Sequence, residues 1–358
     1  MLTLTQSTTR CARADAIISG ALQQRWTAAV LRVESGGALF FERAYGTLDD
    51  GAEACRIDPS TAFDLASLTK VVVATAALRA VAEGRIALDV PLTTVVPEWC
   101  NTDRRSTTLR MLLAHTAGMA SGADYRELLR EDVEQFALRR ELVAPAGERV
   151  VYSDLGFIAL GCVLERVYCR SLASIVGATA QAAVAQTLTY RPRAAAASKI
   201  PATEDDGWRG RLRGVVHDEK AYLMGGVAGH AGLFGSALDV SRFAEAFLKA
   251  WRGQTSAVLP VALARAACEE AAFDPVLRRG LGWALRTTDE NSCGTLMGPR
   301  TFGHTGFTGT CMWADPDRDL SIVLLTNAVY FGRSDVRELR AAVCDAVVED
   351  VVSCSPQA

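Results

Sequence analysis

Lysine is scarce in this 358-residue chain: Lys70, Lys199, Lys220 and Lys249 are the whole set, and every other basic residue is an arginine. The formal net charge is −3, so the basic footprint of a nucleic-acid binder is missing. Histidine is equally sparse. His115, His217, His230 and His304 never fall at i,i+2 or i,i+4, and no H-E-x-x-H occurs. Metallohydrolase chemistry therefore has no ligand set to start from, and no metal or cofactor is expected. The strand–turn–helix signature G-x-S-x-G is absent too, which argues against an α/β-hydrolase. None of the ten cysteines form a C-x-x-C pair, so neither a zinc ribbon nor a thioredoxin-like motif is indicated. They are scattered, and some sit in apolar runs such as Gly161-Cys162-Val163-Leu164, as buried free thiols do. No apolar run approaches the roughly 20 residues of a membrane span. Met1–Arg10 lacks the continuous apolar core of an export signal, so a cytoplasmic location is expected.

What the chain does have is apolar mass, 49% of its residues, enough for a large core. Residues 27–34 and 38–45 are β-prone runs on either side of Ser35-Gly36-Gly37, the pattern of a hairpin. A helical pattern runs from Ser67 to Glu83 and stops at Gly84. Further helices are predicted over 109–113, 125–138, 155–167, 172–187, 237–250, 261–272 and 333–352. Strands return at 281–286, 301–304, 309–314 and 320–326. Strands at both ends with helices between them predict an α+β fold: an antiparallel β-sheet flanked by helices, with an inserted, mostly helical lobe. The expected division is an α/β lobe from 1–84 and 251–358, and a helical lobe from 85–250.

Three short segments carry chemistry. The first is Ser67-Leu68-Thr69-Lys70, at the turn into a helix. Free N–H groups and the helix dipole stabilise negative charge there. Three residues on, Lys70 projects from the same face and can reach the Ser67 hydroxyl. That hydroxyl needs a base, and a lysine is one only when its surroundings lower its pKa. The apolar run Val71 to Leu78 predicts a buried helix around Lys70. An ordinary helix cap at Ser67 and a snorkelling Lys70 would give the same four letters. The second segment is Tyr152-Ser153-Asp154, before a helix. Its phenol can move protons if a cation such as Lys70 sits beside it, and Asp154 can also be a plain cap. The third is Gly303-His304-Thr305-Gly306-Phe307, on a β-prone run. Gly306 lets a substrate approach the backbone closely. The N–H groups of Phe307 and Ser67 can serve as oxyanion donors.

These three elements, in this order, resemble the serine β-lactamase and penicillin-binding-protein superfamily, whose class A pattern is S-x-x-K, S-D-N and K-T-G. The tyrosine in the middle element is similar to class C β-lactamases, their esterase relatives and certain D,D-peptidases. Flanking segments agree: Phe63 to Lys70, Leu109 to Met119, Gly225 to Phe243, Gly280 to Trp283, and Leu325 to Asn327. The resemblance implies an acyl-enzyme on Ser67. Lys70 and Tyr152 would exchange the proton, and the third element, His304 included, would complete the catalytic set. Asp154, Thr305 and Gly306 would meet the substrate, a small-molecule or peptide ester or amide.

Two positions depart from class C β-lactamases. Asp154 stands in place of the usual Asn and cannot donate to a substrate amide when ionised; it can instead pair with Lys70 and hold it charged. His304 stands where a lysine cation is usual. Both changes point to esterase, amidase or peptidase branches rather than an efficient β-lactamase. His217 and Asp218 lie where relatives have a pocket-bordering loop, and are further candidate substrate contacts, with a plain surface loop as the other reading. His115 is expected to be structural. A transacylase is the alternative enzyme; a binding or sensor protein that keeps the fold without turnover is the alternative of another class.

Overall fold

Gly36 and Gly37 both take positive φ, 62° and 75°, and make the tight turn of the expected hairpin. Its strands are β1 (Ala28–Ser35) and β2 (Ala38–Gly46). The computed structural model describes residues 10–274, 278–287 and 291–354. Four more strands complete the main sheet: β3 (Ala284–Leu285), β4 (Phe302–Thr305), β5 (Cys311–Asp315) and β6 (Leu320–Thr326). The order is β2-β1-β6-β5-β4-β3, and each pairing is antiparallel. Strands from opposite ends of the chain meet at β1 and β6, in register from Ala29 opposite Thr326 to Ser35 opposite Leu320.

Alternation along these strands separates two cores. Ala29, Leu31, Trp313, Ile322 and Leu324 face the helices α1 (Ala12–Gly20) and α6 (Arg337–Cys354), which pack on each other. Val30, Met312, Val323 and Leu325 face the opposite way, into the larger core under α5 (Ala237–Trp251). Asn327, just past β6, ties the sheet to the middle of the chain. Its Oδ1 accepts from the N–H groups of Thr27 and Ala28, and its Nδ2 donates to Thr27 Oγ1 and the Ala202 carbonyl.

The larger core also holds α2 (Thr69–Ala82), buried almost all round, as a helix apolar on every face must be. Helices α3 (Asp154–Tyr168) and α4 (Leu172–Ala182) pack against it. A second sheet of three short strands, Phe63–Asp64, Leu233–Gly235 and Thr189–Tyr190, lies where the chain enters α2. The architecture is the expected α+β fold.

Several boundaries differ from the sequence pattern. The helix expected over 125–138 is two, Tyr125–Leu128 and Val133–Arg139, because Asp132 caps the second by accepting from Gln135 N–H at 2.9 Å. The helix from Leu172 ends at Ala182, shortly before Val184 takes φ +60°. The helix from Val261 ends at Ala267. Helix α1 carries no strong pattern and was not expected. The described cysteines are all free thiols; Cys11, Cys162, Cys268, Cys293, Cys311 and Cys344 are buried and the rest exposed. No described helix is long and apolar enough to cross a membrane. Residues 1–9, on which the expectation about an export signal rests, lie outside the described residues.

Candidate active site

The strand Phe63–Asp64 turns into α2 through a tight 3₁₀ turn, Ala66–Leu68. Ala66 takes φ +47°, a conformation that costs a residue with a Cβ about 1–2 kcal/mol. Asp64 holds it there. Its Oδ1 accepts from Ala66 N–H at 2.9 Å and its Oδ2 from His217 N–H at 2.7 Å. Burial pushes the Asp64 carboxyl up, against the pull of those two N–H donors. The carbonyl of Asp64 accepts from Thr308 Oγ1 at 2.8 Å, which ties this turn to the segment after β4. Ser67 stands at the head of α2, half-buried.

Lys70, one turn on, is fully buried. Its Nζ lies 2.8 Å from Ser67 Oγ, 2.8 Å from Asp154 Oδ1 and 3.2 Å from the carbonyl oxygen of His230. An ammonium has three donors, and these acceptors use all of them. Burial alone would lower the Lys70 pKa, but Asp154, then Tyr152, outweigh it and raise it. Tyr152 presents its ring 4.9 Å from Nζ. Ser153 caps α3, accepting from Gly156 N–H at 2.8 Å. Ser153 N–H in turn donates to Nδ1 of His115 at 3.0 Å, and the His115 ring lies 4.6 Å from that of Tyr152. Burial, with Arg279 and Lys70 nearby, holds His115 well below its usual pKa, so it acts as a neutral acceptor positioning the middle element.

Asp154 does more than face Lys70. Its Oδ2 lies 3.3 Å from Lys220 Nζ, and Lys220 lies 3.2 Å from Asp218 Oδ2. Asp218 Oδ1 accepts from His230 Nε2 at 2.7 Å and from Ala221 N–H at 2.8 Å, where it caps the helix Glu219–Leu223. Burial opposes the Asp154 charge, yet Lys70, His230 and Lys220 hold its pKa down. Asp154, Asp218 and His230 bring potential metal-ligand atoms within 4.8 Å of one another. Both carboxylates already face lysine ammonium groups there, so the donor set does not suit a further cation.

The third segment forms the opposite wall. Gly306 is required: a Cβ there would sit 2.1 Å from Thr310 Oγ1 and 2.7 Å from the Leu65 carbonyl. Arg340, from α6, donates to the carbonyls of Gly306 at 2.5 Å and Gly309 at 3.2 Å, and so fixes the loop. The Phe307 N–H has no hydrogen-bond partner among the described residues, and its ring is exposed. His304 lies in β4 and is buried. Burial first, then Arg279 and Lys70, depress its pKa to about 3. Its Nδ1 donates to the Thr305 carbonyl at 2.8 Å, which leaves Nε2 a buried acceptor without a partner in the protein. His304 is thus neutral across the working range. The cation here is Arg279, whose guanidinium lies 5.0 Å from the centre of the Tyr152 ring and is almost wholly buried. A cavity of about 520 Å³ is lined by Ser67, Tyr152, Arg279, His304, Thr305, Gly306 and Phe307, and closed by Arg333 to Val336 and Arg340.

The structure therefore gathers Ser67, Tyr152, His304, Thr305, Gly306 and Phe307 around one cavity, with Lys70 against Ser67 and Asp154 against Lys70 beneath its wall. His217 and Asp218 lie behind it. His217 stacks on Phe307 at 5.7 Å and reaches Glu204 at 2.8 Å. His217, helped by Arg333, holds Glu204 down at about 2. Both carboxylate oxygens of Asp218 face protein partners, Oδ1 two and Oδ2 one, and Asp218 is not among the residues lining the cavity. Asp64, Lys220, Arg279 and Arg340 were missed. Asp64 lies in the Phe63 to Lys70 flank without a role assigned to it, Lys220 stands out only by the scarcity of lysine, and Arg279 and Arg340 belong to no motif.

Comparison with known proteins shows what the chain as a whole is similar to. The beta-lactamase family profile matches residues 14–346. Esterase EstB of Burkholderia gladioli is 32% identical, over 94% of this chain and 94% of its own. A putative D-alanyl-D-alanine carboxypeptidase of Escherichia coli (strain K12) is 30% identical, over 75% of this chain and 69% of its own. Among solved structures, EstCE1, a hydrolase with promiscuous acyltransferase activity, superposes with a TM-score of 0.79 at 22% identity, covering 96% of this chain and 100% of its own. A class C beta lactamase from Rhodobacter sphaeroides gives 0.74 at 17% identity, covering 95% and 99%. The last two speak for the fold alone. From the family profile and these relatives, the chain belongs to the beta-lactamase family.

Proposed function

We propose that this protein is an esterase or amidase that works through an acyl-enzyme on Ser67. The observation that carries the reading is the 2.8 Å contact between Lys70 Nζ and Ser67 Oγ, made by a lysine with no access to water. A surface lysine and a helix cap would not meet in that way.

The geometry supports a division of labour. Lys70 spends its donors on Ser67, Asp154 and the His230 carbonyl, so it acts as a fixed cation that orients Oγ. Tyr152, beside it and reacting as its phenolate, takes the serine proton as Oγ attacks the substrate carbonyl. The carbonyl oxygen becomes an oxyanion, held by the N–H groups of Ser67 and Phe307. Tyr152 then hands the proton to the leaving alcohol or amine, and the carbon–heteroatom bond breaks. Water, activated by the same phenol, releases the acid from Ser67.

The relationship to EstB, over nearly the full length of both chains, favours esters. Arg279 adds a fixed positive charge inside the cavity, where His304 supplies none. It suits a substrate with a carboxylate near the scissile bond.

Time-resolved intact mass tests the reading, with p-nitrophenyl butyrate on wild type and Ser67→Ala in parallel. An adduct on wild type alone, which forms and decays as p-nitrophenol appears, is the expected result. A persistent adduct with no release would indicate a sensor. Equal turnover by Ser67→Ala would reject the nucleophile.

A further inference from the structure

Lys220 has no part in the chemistry above, yet its ammonium is mostly buried, against Asp154. It lies 3.3 Å from Asp154 Oδ2 and 3.2 Å from Asp218 Oδ2. Asp218 accepts from His230 Nε2 at 2.7 Å, and the His230 carbonyl accepts from Lys70 Nζ at 3.2 Å. With Asp154 touching Lys70 at 2.8 Å, these contacts form a closed ring. It runs from Lys70 through Asp154, Lys220, Asp218 and His230 back to Lys70, and joins α2, α3, the helix Glu219–Leu223 and the loop before Leu233. Charge alternates from Lys70 through Asp154 and Lys220 to Asp218, and His230 closes the ring through its imidazole on one side and its carbonyl on the other.

We infer that Lys220 and Asp218 are positioning residues whose opposed charges set the pH at which Ser67 becomes reactive, without either touching the substrate. The inference rests on the proposed acyl-enzyme function. Asp154 divides its two oxygens between two ammonium groups, one on each. Without Lys220 that carboxylate serves Lys70 alone, and the neighbourhood of the reacting proton loses a positive charge. Without the Asp218 charge, Lys220 turns wholly to Asp154, and the neighbourhood loses a negative one. The other groups facing this centre are Tyr152 and His230 beside Lys70 and Asp154, and Arg279, His115 and His304 around Tyr152. All of them stay in place in both variants.

The signs follow from Coulomb's law. A lost positive charge makes the base hold its proton more tightly, so the acid limb of the rate moves to higher pH. A lost negative charge moves it lower. At an effective dielectric of about 20 and a separation of several ångströms, one unit charge is worth roughly one to two pH units.

The test is the rate at which ethyl p-nitrophenyl methylphosphonate labels Ser67 between pH 5 and 9, followed by intact mass. Wild type, Lys220→Met, Lys220→Arg and Asp218→Asn are compared. The expected result is a limb that moves up in Lys220→Met, down in Asp218→Asn, and back to its original place in Lys220→Arg. A uniform loss of rate with the limb unmoved would mean a merely structural role and overturn the inference. If near-ultraviolet circular dichroism shows Lys220→Met unfolded, Lys220→Gln and Asp218→Asn decide the matter, since each demands its own direction. Labelled wild type with unmoved variants sinks this inference alone. Wild type unlabelled at every pH sinks the acyl-enzyme reading, and this inference with it.

Discussion

Asp154 Oδ1 lies 2.8 Å from Lys70 Nζ, deep enough that water reaches the lysine nowhere. An asparagine in that place would leave the lysine held only by neutral acceptors. The carboxylate therefore decides how the site handles protons.

Asp154→Asn removes the negative charge beside the fixed cation Lys70, so the proton at the reacting centre leaves more easily. The acid limb of ester hydrolysis should fall by roughly one to two pH units. The buried Lys70 ammonium loses its counter-charge while Lys220 keeps Asp218, so stability should drop by about 3 kcal/mol. A pH–rate profile and a urea titration check both. A limb that stays put would take Asp154 out of the proton chemistry.

Arg279→Met keeps the bulk against Tyr152 and removes the charge. It should raise KM for a p-nitrophenyl hemisuccinate by about 10- to 100-fold, the worth of a charged hydrogen bond of roughly 1.5–3 kcal/mol. The neutral butyrate ester should respond little. Equal effects on both esters would mean that Arg279 shapes the cavity rather than recognising an anion.

His304 ties stability to pH. Its folded pKa of about 3 lies below the usual 6.5, because burial opposes the charge. The unfolded chain thus binds more protons than the folded one below pH 6.5. Stability from this group is intact above pH 6.5 and falls as pH drops toward 3, by about 1.4 kcal/mol per unit. His304→Gln should flatten the decline of urea-unfolding free energy between pH 6 and 4 by about that slope. An unchanged slope would contradict a buried neutral imidazole.

Much of this was legible from the chain. The hairpin was written in Ser35-Gly36-Gly37, and the burial of Lys70 in the apolar run after it. The three short segments converge because each sits at the end of a strand or helix whose own pattern is strong. What escaped were single residues brought in from far away. Arg340 meets Gly306, and Asp64 meets His217, through tertiary folding that no local spacing encodes. The charge state of Lys70 was legible as an alternative, because an aspartate at 154 in place of an asparagine can pair with it; the 2.8 Å distance shows the pair formed. Helix ends were missed where a capping aspartate such as Asp132 broke a continuous apolar pattern.

The grip of Arg340 on the Gly306 and Gly309 carbonyls also has a consequence in time. A ribosome releases Ser67 and Lys70 well before Arg340. Until α6 has been made and docked, the loop that carries Phe307 lacks the clamp on two of its carbonyls and is held by Thr308 and Thr310 on the side of Asp64 and Leu65. The two walls of the cavity are therefore completed in sequence, the one with Ser67 first and the one with Phe307 only when α6 arrives.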